Sequence, residues 1–387
     1  MAKDKTHYNI DTIDSLGANI NIIYGERANG KSYQVKHKKG IFKYLKETTN
    51  FYDRYYDKGN IIKNAIKEKS EFILLRRFSE EITPSLIEQY FDDVDIESLT
   101  DGKYDLITCY RKQLFLSNYD SKNNKVIRGE KIGYVVALST EQKYAGGSYL
   151  KVTDIIFEEF MSRGLYLSHE PDRLMNFYST IDRKRGTTKM WLVGNTITRV
   201  CPYLVDWELM EIVRHQKQGE IKTKWLPTGD IDDNGVAIEV KLAIEYCKAS
   251  GDSSFIIGKH KNMLNKGEWQ TDIQPHLQKS YKSYKIILRI MFVYKTFKFI
   301  GEYLLDKETH NTCWFIKSYN GEIDNHTLVF SDIVKESRYW QRDIYNPLLK
   351  NQRLINVLKT FRENNIFYAD DLTGTDFKQA IDFEIRK

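Results

Sequence analysis

The sequence predicts an α/β fold with a mainly parallel sheet, then a small connector module and an α+β C-terminal domain. Three observations lead there. The first is the stretch INIIYGERANGKSY at residues 20–33, a short apolar strand running into a Gly-rich loop and then a helix-capable segment. The second is a series of short apolar runs alternating with helix-capable segments through residue 208, the signature of parallel strands covered on both faces. The third is a change after residue 284 to closely spaced strand candidates followed by amphipathic stretches.

The loop comes first. Gly25 to Ser32 fits G-x-x-x-x-G-K-[ST] (Walker A) at every required position. Gly25 and Gly30 lack a Cβ, which lets the backbone wrap a phosphate chain and aim N–H groups inward. Glu26, Arg27, Ala28 and Asn29 complete the cradle. Lys31 is expected to reach the β- and γ-phosphates and the Ser32 hydroxyl to ligate Mg²⁺. Tyr33 to Lys46 is expected to be a helix whose N-terminus adds its positive dipole end. The pattern predicts a P-loop nucleotide-binding domain.

Residues 1–18 read as a polar lead-in and Asn50–Lys69 as a charged stretch. Glu71–Leu75 (EFILL) is a second buried strand, closed by Arg76 and Arg77, which fit a nucleotide or DNA contact as well as surface pairing. A helix is expected over Ile82–Phe91, with Pro84 in its first turn. Two strands are expected within Tyr104–Ser117, and others at Lys131–Ser139, Val152–Phe157 and Met190–Val193. Residues 1–208 then form the nucleotide-binding domain and 209–280 a linker module, in which Val236–Lys248 suits a helix or a strand. Residues 281–387 form the last domain. It has strands at Ile286–Tyr294, Lys298–Leu305, Thr312–Ile316 and Thr327–Phe330, read as an antiparallel sheet, and helices at Asn346–Asn364 and Thr375–Arg386.

Chemistry concentrates at DIIFEEF, residues 154–160. Carboxylates at a strand's carboxyl end sit where Mg²⁺ lies beside a phosphate loop. Glu158 is assigned to the metal, through water, although Asp is more usual there. Glu159 is assigned to polarising the attacking water. Ser168–Ile181 reads as a helix capped by Ser168, with Leu174, Phe177, Tyr178 and Ile181 on its core face. It ends in DRKRG. This basic end either complements the helix dipole or projects an arginine finger toward a neighbouring subunit. Met190–Asn195 ends in Asn195, placed as a γ-phosphate sensor or as a turn-forming residue. Lys143 lies in a polar, Gly-containing loop.

Charge and cysteine usage bound the rest. A net charge of +6 over 387 residues permits an acidic partner without demanding one. Cys109, Cys201, Cys247 and Cys313 are scattered, which argues against a zinc ribbon or disulfide framework and fits a reducing compartment. The N-terminus lacks an apolar leader, and the most apolar stretch, Ile286–Tyr294, is too short to span a bilayer. A soluble, intracellular protein is expected.

The order GERANGKS, FILLRR, VVALST, DIIFEEF, STIDRKR, LVGN and CPYLVDW resembles the genome-packaging ATPases of small short-tailed, protein-primed (Picovirinae-type) bacteriophages. The resemblance covers about the first 205 residues well and the rest by order of elements. It implies an additional-strand, catalytic-glutamate P-loop motor, working as a homopentameric ring that drives double-stranded DNA into a preformed procapsid. It further implies a portal (connector) and a packaging RNA as partners, a place in the host cytoplasm, and absence from the mature virion. By position, Arg183 takes the trans-acting arginine role, with Arg185 and then Lys143 as substitutes. The C-terminal domain is similar to a ribonuclease-H-type nuclease that has lost catalysis, and YKIILRIMFVYK, its first strand, carries no carboxylate. Two other readings remain open: a different P-loop enzyme such as a kinase, and a non-enzymatic nucleic-acid-binding scaffold.

Overall fold

The computed structural model describes residues 8–27, 29–36, 61–162, 166–231, 235–249 and, with short interruptions, 268–385. Ala28, most of the expected helix over Tyr33–Lys46, and Asn50–Asn60 lie outside the described residues. The chain divides into two compact units, one of residues 1–197 and 214–269, the other of residues 198–213 and 270–387.

The first unit is built on one nine-stranded sheet. Its elements are α1 (Asp11–Ser15), β1 (Ile20–Gly25), α2 (Lys31–Lys36), α3 (Ile61–Glu68), β2 (Glu71–Arg76), α4 (Pro84–Tyr90), α5 (Ile96–Leu99), β3 (Leu106–Tyr110), β4 (Gln113–Asp120), β5 (Lys125–Ala137), β6 (Val152–Glu158), α6 (Glu170–Asp182), β7 (Lys189–Asn195), β8 (Ile221–Ile231) and β9 (Ala237–Tyr246). The strand order is β3-β4-β5-β2-β6-β7-β1-β9-β8. From β5 through β9 every neighbouring pair is parallel, and an antiparallel ribbon extends each edge. The central strands are apolar runs because both faces are covered: every residue of β1 is buried, as are all but the last of β2.

Two boundaries differ from expectation. Residues 221–246, assigned from sequence to the linker module, form β8 and β9, and β9 pairs in parallel with β1. The outer part of this hairpin is exposed on both faces, so its residues lack the apolar run that marks a buried strand. Likewise β5 begins at Lys125 rather than Lys131, its first half being a polar ribbon paired with β4.

Helix signals divide the same way. Pro84 sits in the first turn of α4, as the sequence suggests, and Thr83 caps the helix through its side chain. The expected Ser168 cap of α6 is not made: the helix starts at Glu170, behind His169 in left-handed conformation with no side-chain cap. Instead Glu170 accepts from the Leu167 N–H at 2.7 Å and pairs with Arg77, whose Nε lies 2.9 Å away. A long-range ion pair has replaced the local cap. Arg77 is therefore a buried strut and not a surface residue.

The second unit contains α7 (Pro202–Asp206), β10 (Tyr284–Tyr294), β11 (Phe297–Asp306), β12 (Thr312–Ser318), β13 (Val329–Ser331), β14 (Trp340–Gln341), α9 (Gln352–Lys359), β15 (Ile366–Tyr368) and α10 (Asp371–Ile385), with α8 (Met210–His215) where the chain returns to the first unit. Its sheet order is β14-β13-β10-β11-β12-β15. Only β10-β11-β12 is antiparallel; β13, β14 and β15 join in parallel, which corrects the expected all-antiparallel sheet. β14 and β15, at two and three residues, are too short to leave a pattern. Phe292, Phe299, Phe361 and Phe377 form the aromatic core, with the Phe292 and Phe377 rings edge-to-face at 4.9 Å. α9 is shorter than the expected 346–364: Asn351 caps it and a 3-10 turn follows at Thr360–Glu363, leaving Leu349 outside.

Candidate phosphate-loop site

The site lies where β1, β6 and β7 end side by side, with β7 between the other two. β1 delivers the loop. Gly25 has φ +154°, and a Cβ there would stand 3.1 Å from the Cys247 Cβ, so only glycine fits without displacing the chain after β9. Gly30 has φ +92°, a conformation L side chains rarely adopt, and its carbonyl accepts the first helical hydrogen bond of α2, from Gln34 N–H at 2.8 Å. Glu26 and Asn29 are buried and Arg27 is exposed. Asn29 Nδ2 is a buried donor with no hydrogen-bond partner among the described residues, which suits a loop built to receive an acceptor-rich ligand.

Lys31 is buried, and its Nζ folds back on the loop, donating to the Glu26 carbonyl, to Asn29 Oδ1 at 3.1 Å and to Asn195 Oδ1 at 3.3 Å. Burial lowers its pKa, and the charges of nearby acidic groups oppose that shift. Asn195, the last residue of β7, is thus within reach of the loop lysine. Ser32 donates to Glu158 Oε2 at 2.9 Å. Glu158 ends β6 and is buried, and desolvation raises its pKa against the hydrogen bonds from Tyr90 and Ser32. A serine hydroxyl facing a carboxylate is the hard-oxygen donor set that Mg²⁺ takes beside phosphates, so these residues fit the ion.

Glu159 is exposed, on the turn after β6, with φ +55°. Arg77 fixes that turn: its Nη1 donates to the Glu159 carbonyl at 3.2 Å and its Nη2 to the Phe160 carbonyl at 2.7 Å. Arg183 and Arg185 are not brought to the loop. They follow α6, where Arg183 caps the helix in left-handed conformation and donates to the Gly147 carbonyl. Arg185 donates to the carbonyls of Asp182 (2.9 Å), Leu150 (2.7 Å), Val152 (3.1 Å) and Ile181 (3.0 Å). Lys143 is exposed in a 3-10 turn, Leu138–Tyr144.

Comparison with known proteins gives the family. Residues 53–266, more than half of the chain, match the profile of the podovirus DNA encapsidation protein (Gp16) family. The chain belongs to that family. The matched span includes Glu158, Glu159 and the basic end of α6 and begins after the phosphate loop. Among encapsidation relatives, the DNA packaging protein of Bacillus phage B103 is 26% identical over 197 residues, covering 49% of this chain and 48% of that protein. The DNA packaging protein of Bacillus phage phi29 is 25% identical over 206 residues, covering 52% and 50%. The chain thus aligns with about half the length of these relatives. The fold is similar over the whole length to a chain of the bacteriophage phi29 genome packaging motor assembly, with a TM-score of 0.51, 18% identity and 98% of both chains covered.

Several site residues have no sequence signal. Tyr90, 68 positions from Glu158, donates to its Oε1 at 2.7 Å. Tyr8 spans the loop and β9: its N–H donates to the Asn29 carbonyl at 3.2 Å and its hydroxyl to Glu245 Oε2 at 2.8 Å. Burial pushes the Glu245 carboxyl up from 4.5 to about 7, the Tyr8 hydrogen bond opposing. An acid raised in the folded state favours folding below its unfolded value and loses that contribution as pH rises through the folded value. Glu245→Gln keeps an acceptor for Tyr8 but removes the charge. It should leave stability unchanged near pH 4 and raise it by about 3 kcal/mol at pH 8. Urea denaturation at both pH values checks this, and an equal difference at both would dismiss it.

Proposed function

We propose that this chain is the ATP-hydrolysing subunit of a motor that packages double-stranded viral DNA into a preformed procapsid. The observation that carries the reading is one constellation at the strand ends, Lys31 with Asn195 and Ser32 with Glu158. Membership of the encapsidation family favours a motor over a small-molecule kinase or a non-enzymatic scaffold. The place of β7 between β1 and β6 supports the additional-strand, catalytic-glutamate class.

In this reading Gly25–Ser32 hold the phosphates of ATP, with Lys31 neutralising the β- and γ-groups. Ser32 would hold Mg²⁺ and Glu158 would do so through water, and Asn195 would sense the γ-phosphate. Mg²⁺, when bound, would supply charge neutralisation on the phosphates. Glu159 polarises the attacking water, its exposed carboxylate carried on the turn that Arg77 holds. Arg183 acts on the ATP of the next subunit in a ring, pentameric by resemblance, docked with packaging RNA at the portal. The place of work is the host cytoplasm, with transient docking on the procapsid and absence from the mature virion. Among the described residues no helix is long and apolar enough to cross a membrane.

The second unit is read as a ribonuclease-H-like module without cleavage. The run β12-β11-β10-β13-β14, three antiparallel strands continued by two parallel ones, supports that reading, with β15 added in parallel beyond β12. Its first strand offers Arg289, and the fully buried Glu302 is answered by Arg289 at 2.9 Å and Lys317 at 3.0 Å. Burial opposes ionisation of Glu302, but the Tyr281 hydroxyl bond and then Lys317 and Arg289 hold the carboxylate below its usual pKa, so protein donors occupy it.

One experiment tests the whole: ATPase rate with and without double-stranded DNA, on fractions sized by light scattering. Ring-sized species should show DNA-stimulated turnover that weakens as salt rises. Plasmid recovered from Mg²⁺ or Mn²⁺ reactions should be uncut. A monomer whose turnover ignores DNA points to the kinase reading, no turnover points to the scaffold, and reproducible nicking refutes the non-cleaving second unit.

A further inference from the structure

Tyr90 is the last residue of α4, and its surroundings tie that helix to the phosphate loop in three ways. Its hydroxyl donates to Glu158 Oε1 at 2.7 Å, while Ser32 donates to Oε2 at 2.9 Å, so each oxygen of Glu158 receives a donor. Its backbone carbonyl accepts from Lys36 Nζ at 2.5 Å, and the same Nζ reaches Asp93 Oδ1 at 2.6 Å. Its ring has Lys36 Nζ 4.2 Å and the Arg76 guanidinium carbon 5.3 Å from the centroid. Lys36 closes α2, the helix that opens with Lys31 and Ser32. The tyrosine is therefore held at its carbonyl and at its ring, with its hydroxyl directed at Glu158.

We propose that Tyr90 is a positioning residue whose hydroxyl orients Glu158 opposite Ser32 for the divalent cation that accompanies the nucleotide. This rests on the phosphate-loop reading above. A carboxylate buried beside a loop has rotamers that turn it away from the serine, and a fixed donor on its far oxygen selects the one that faces it. Partners of directly ligating groups contribute about 10- to 100-fold to metal affinity, and Tyr90, holding a carboxylate that acts through water, belongs at the lower end of that range. The ring and carbonyl contacts are separable from this role, because phenylalanine keeps both.

The test uses the full chain and reads binding rather than turnover. Affinity for a fluorescent ATP analogue is titrated against Mg²⁺ and in EDTA, for the wild type, Tyr90→Phe, Glu158→Gln and the double variant. Tyr90→Phe should bind the analogue normally in EDTA. It should need about tenfold more Mg²⁺ for the half-maximal gain in affinity. In the Glu158→Gln background, removing the hydroxyl should change nothing further, and this pair decides the matter even if Tyr90→Phe lowers stability. Wild-type Mg²⁺ dependence in Tyr90→Phe overturns the proposal, as does an equal loss with and without Glu158. Mg²⁺ independence of the wild type overturns both the proposal and the phosphate-loop reading. Normal Mg²⁺ dependence in the wild type, lost in Ser32→Ala, with none of it changed in Tyr90→Phe, overturns the proposal alone.

Discussion

Glu159→Gln is expected to bind ATP with near-normal affinity and to hydrolyse it about 10²- to 10⁴-fold more slowly, the range for loss of a general base. The structure separates the two carboxylates by their surroundings. Glu158 is buried, and both its oxygens accept hydrogen bonds, from Tyr90 and from Ser32. Glu159 is exposed, one residue past the strand, on a turn whose carbonyls are clamped by Arg77. A group that must take a proton from water needs access to that water, which Glu159 has. Lys31→Ala should behave differently, weakening binding and hydrolysis together, because it removes contacts made in the ground state as well. Equilibrium binding of a labelled nucleotide and a steady-state phosphate-release assay distinguish the patterns. Turnover near the wild-type rate in Glu159→Gln would transfer the base role to Glu158.

What the sequence disclosed follows from how local each feature is. The loop and the ends of β6 and β7 were readable because short apolar runs lead directly into the residues that carry the chemistry. Fully buried parallel strands write themselves as such runs: Ile22, Ile23, Leu74, Ile155, Ile156 and Leu192 are all without exposure. The β8–β9 hairpin is not readable as part of that sheet, since only the inner half of β9 is buried, while the outer half of the hairpin carries Trp225, Ile231 and Ile238 exposed among charges. The start of α6 was misplaced for another reason. Its N-terminus is held by Glu170 bonded to Leu167 N–H and paired with Arg77, 93 positions away, and no local cap pattern encodes that distance. Tyr90 was invisible on the same ground. A tyrosine closing a short amphipathic helix looks like core until the fold sets it against Glu158.

Arg183→Ala is expected to fold and to bind ATP almost normally, yet to lose turnover by about a thousandfold or more, the effect of removing an arginine that stabilises charge on the transferring phosphoryl group. Two structural facts single out this residue from its neighbours. Arg185 is committed to tying the entry of β6 to the turn before β7, through the carbonyls of Leu150 and Val152 and through Thr188 Oγ1 at 3.2 Å, so its loss should act on stability. Arg183 instead sits exposed at the left-handed end of α6, whose buried Leu174, Phe177 and Ile181 anchor the helix and leave its basic end at the surface. Its guanidinium bonds the Gly147 carbonyl, an exchangeable contact for a group that must reach a neighbour's nucleotide. A mixing experiment decides whether it acts in trans. Lys31→Ala has a disabled pocket and an intact Arg183; Arg183→Ala has the reverse. In rings assembled from both, some intact pockets face an intact arginine, and ATPase activity should rise above the sum of the separate proteins. Subunit exchange is verified with labelled protein. If exchange occurs and activity does not rise, Arg183 is not a trans-acting finger, and Lys143, exposed on the 3-10 turn before β6, becomes the residue to mutate next.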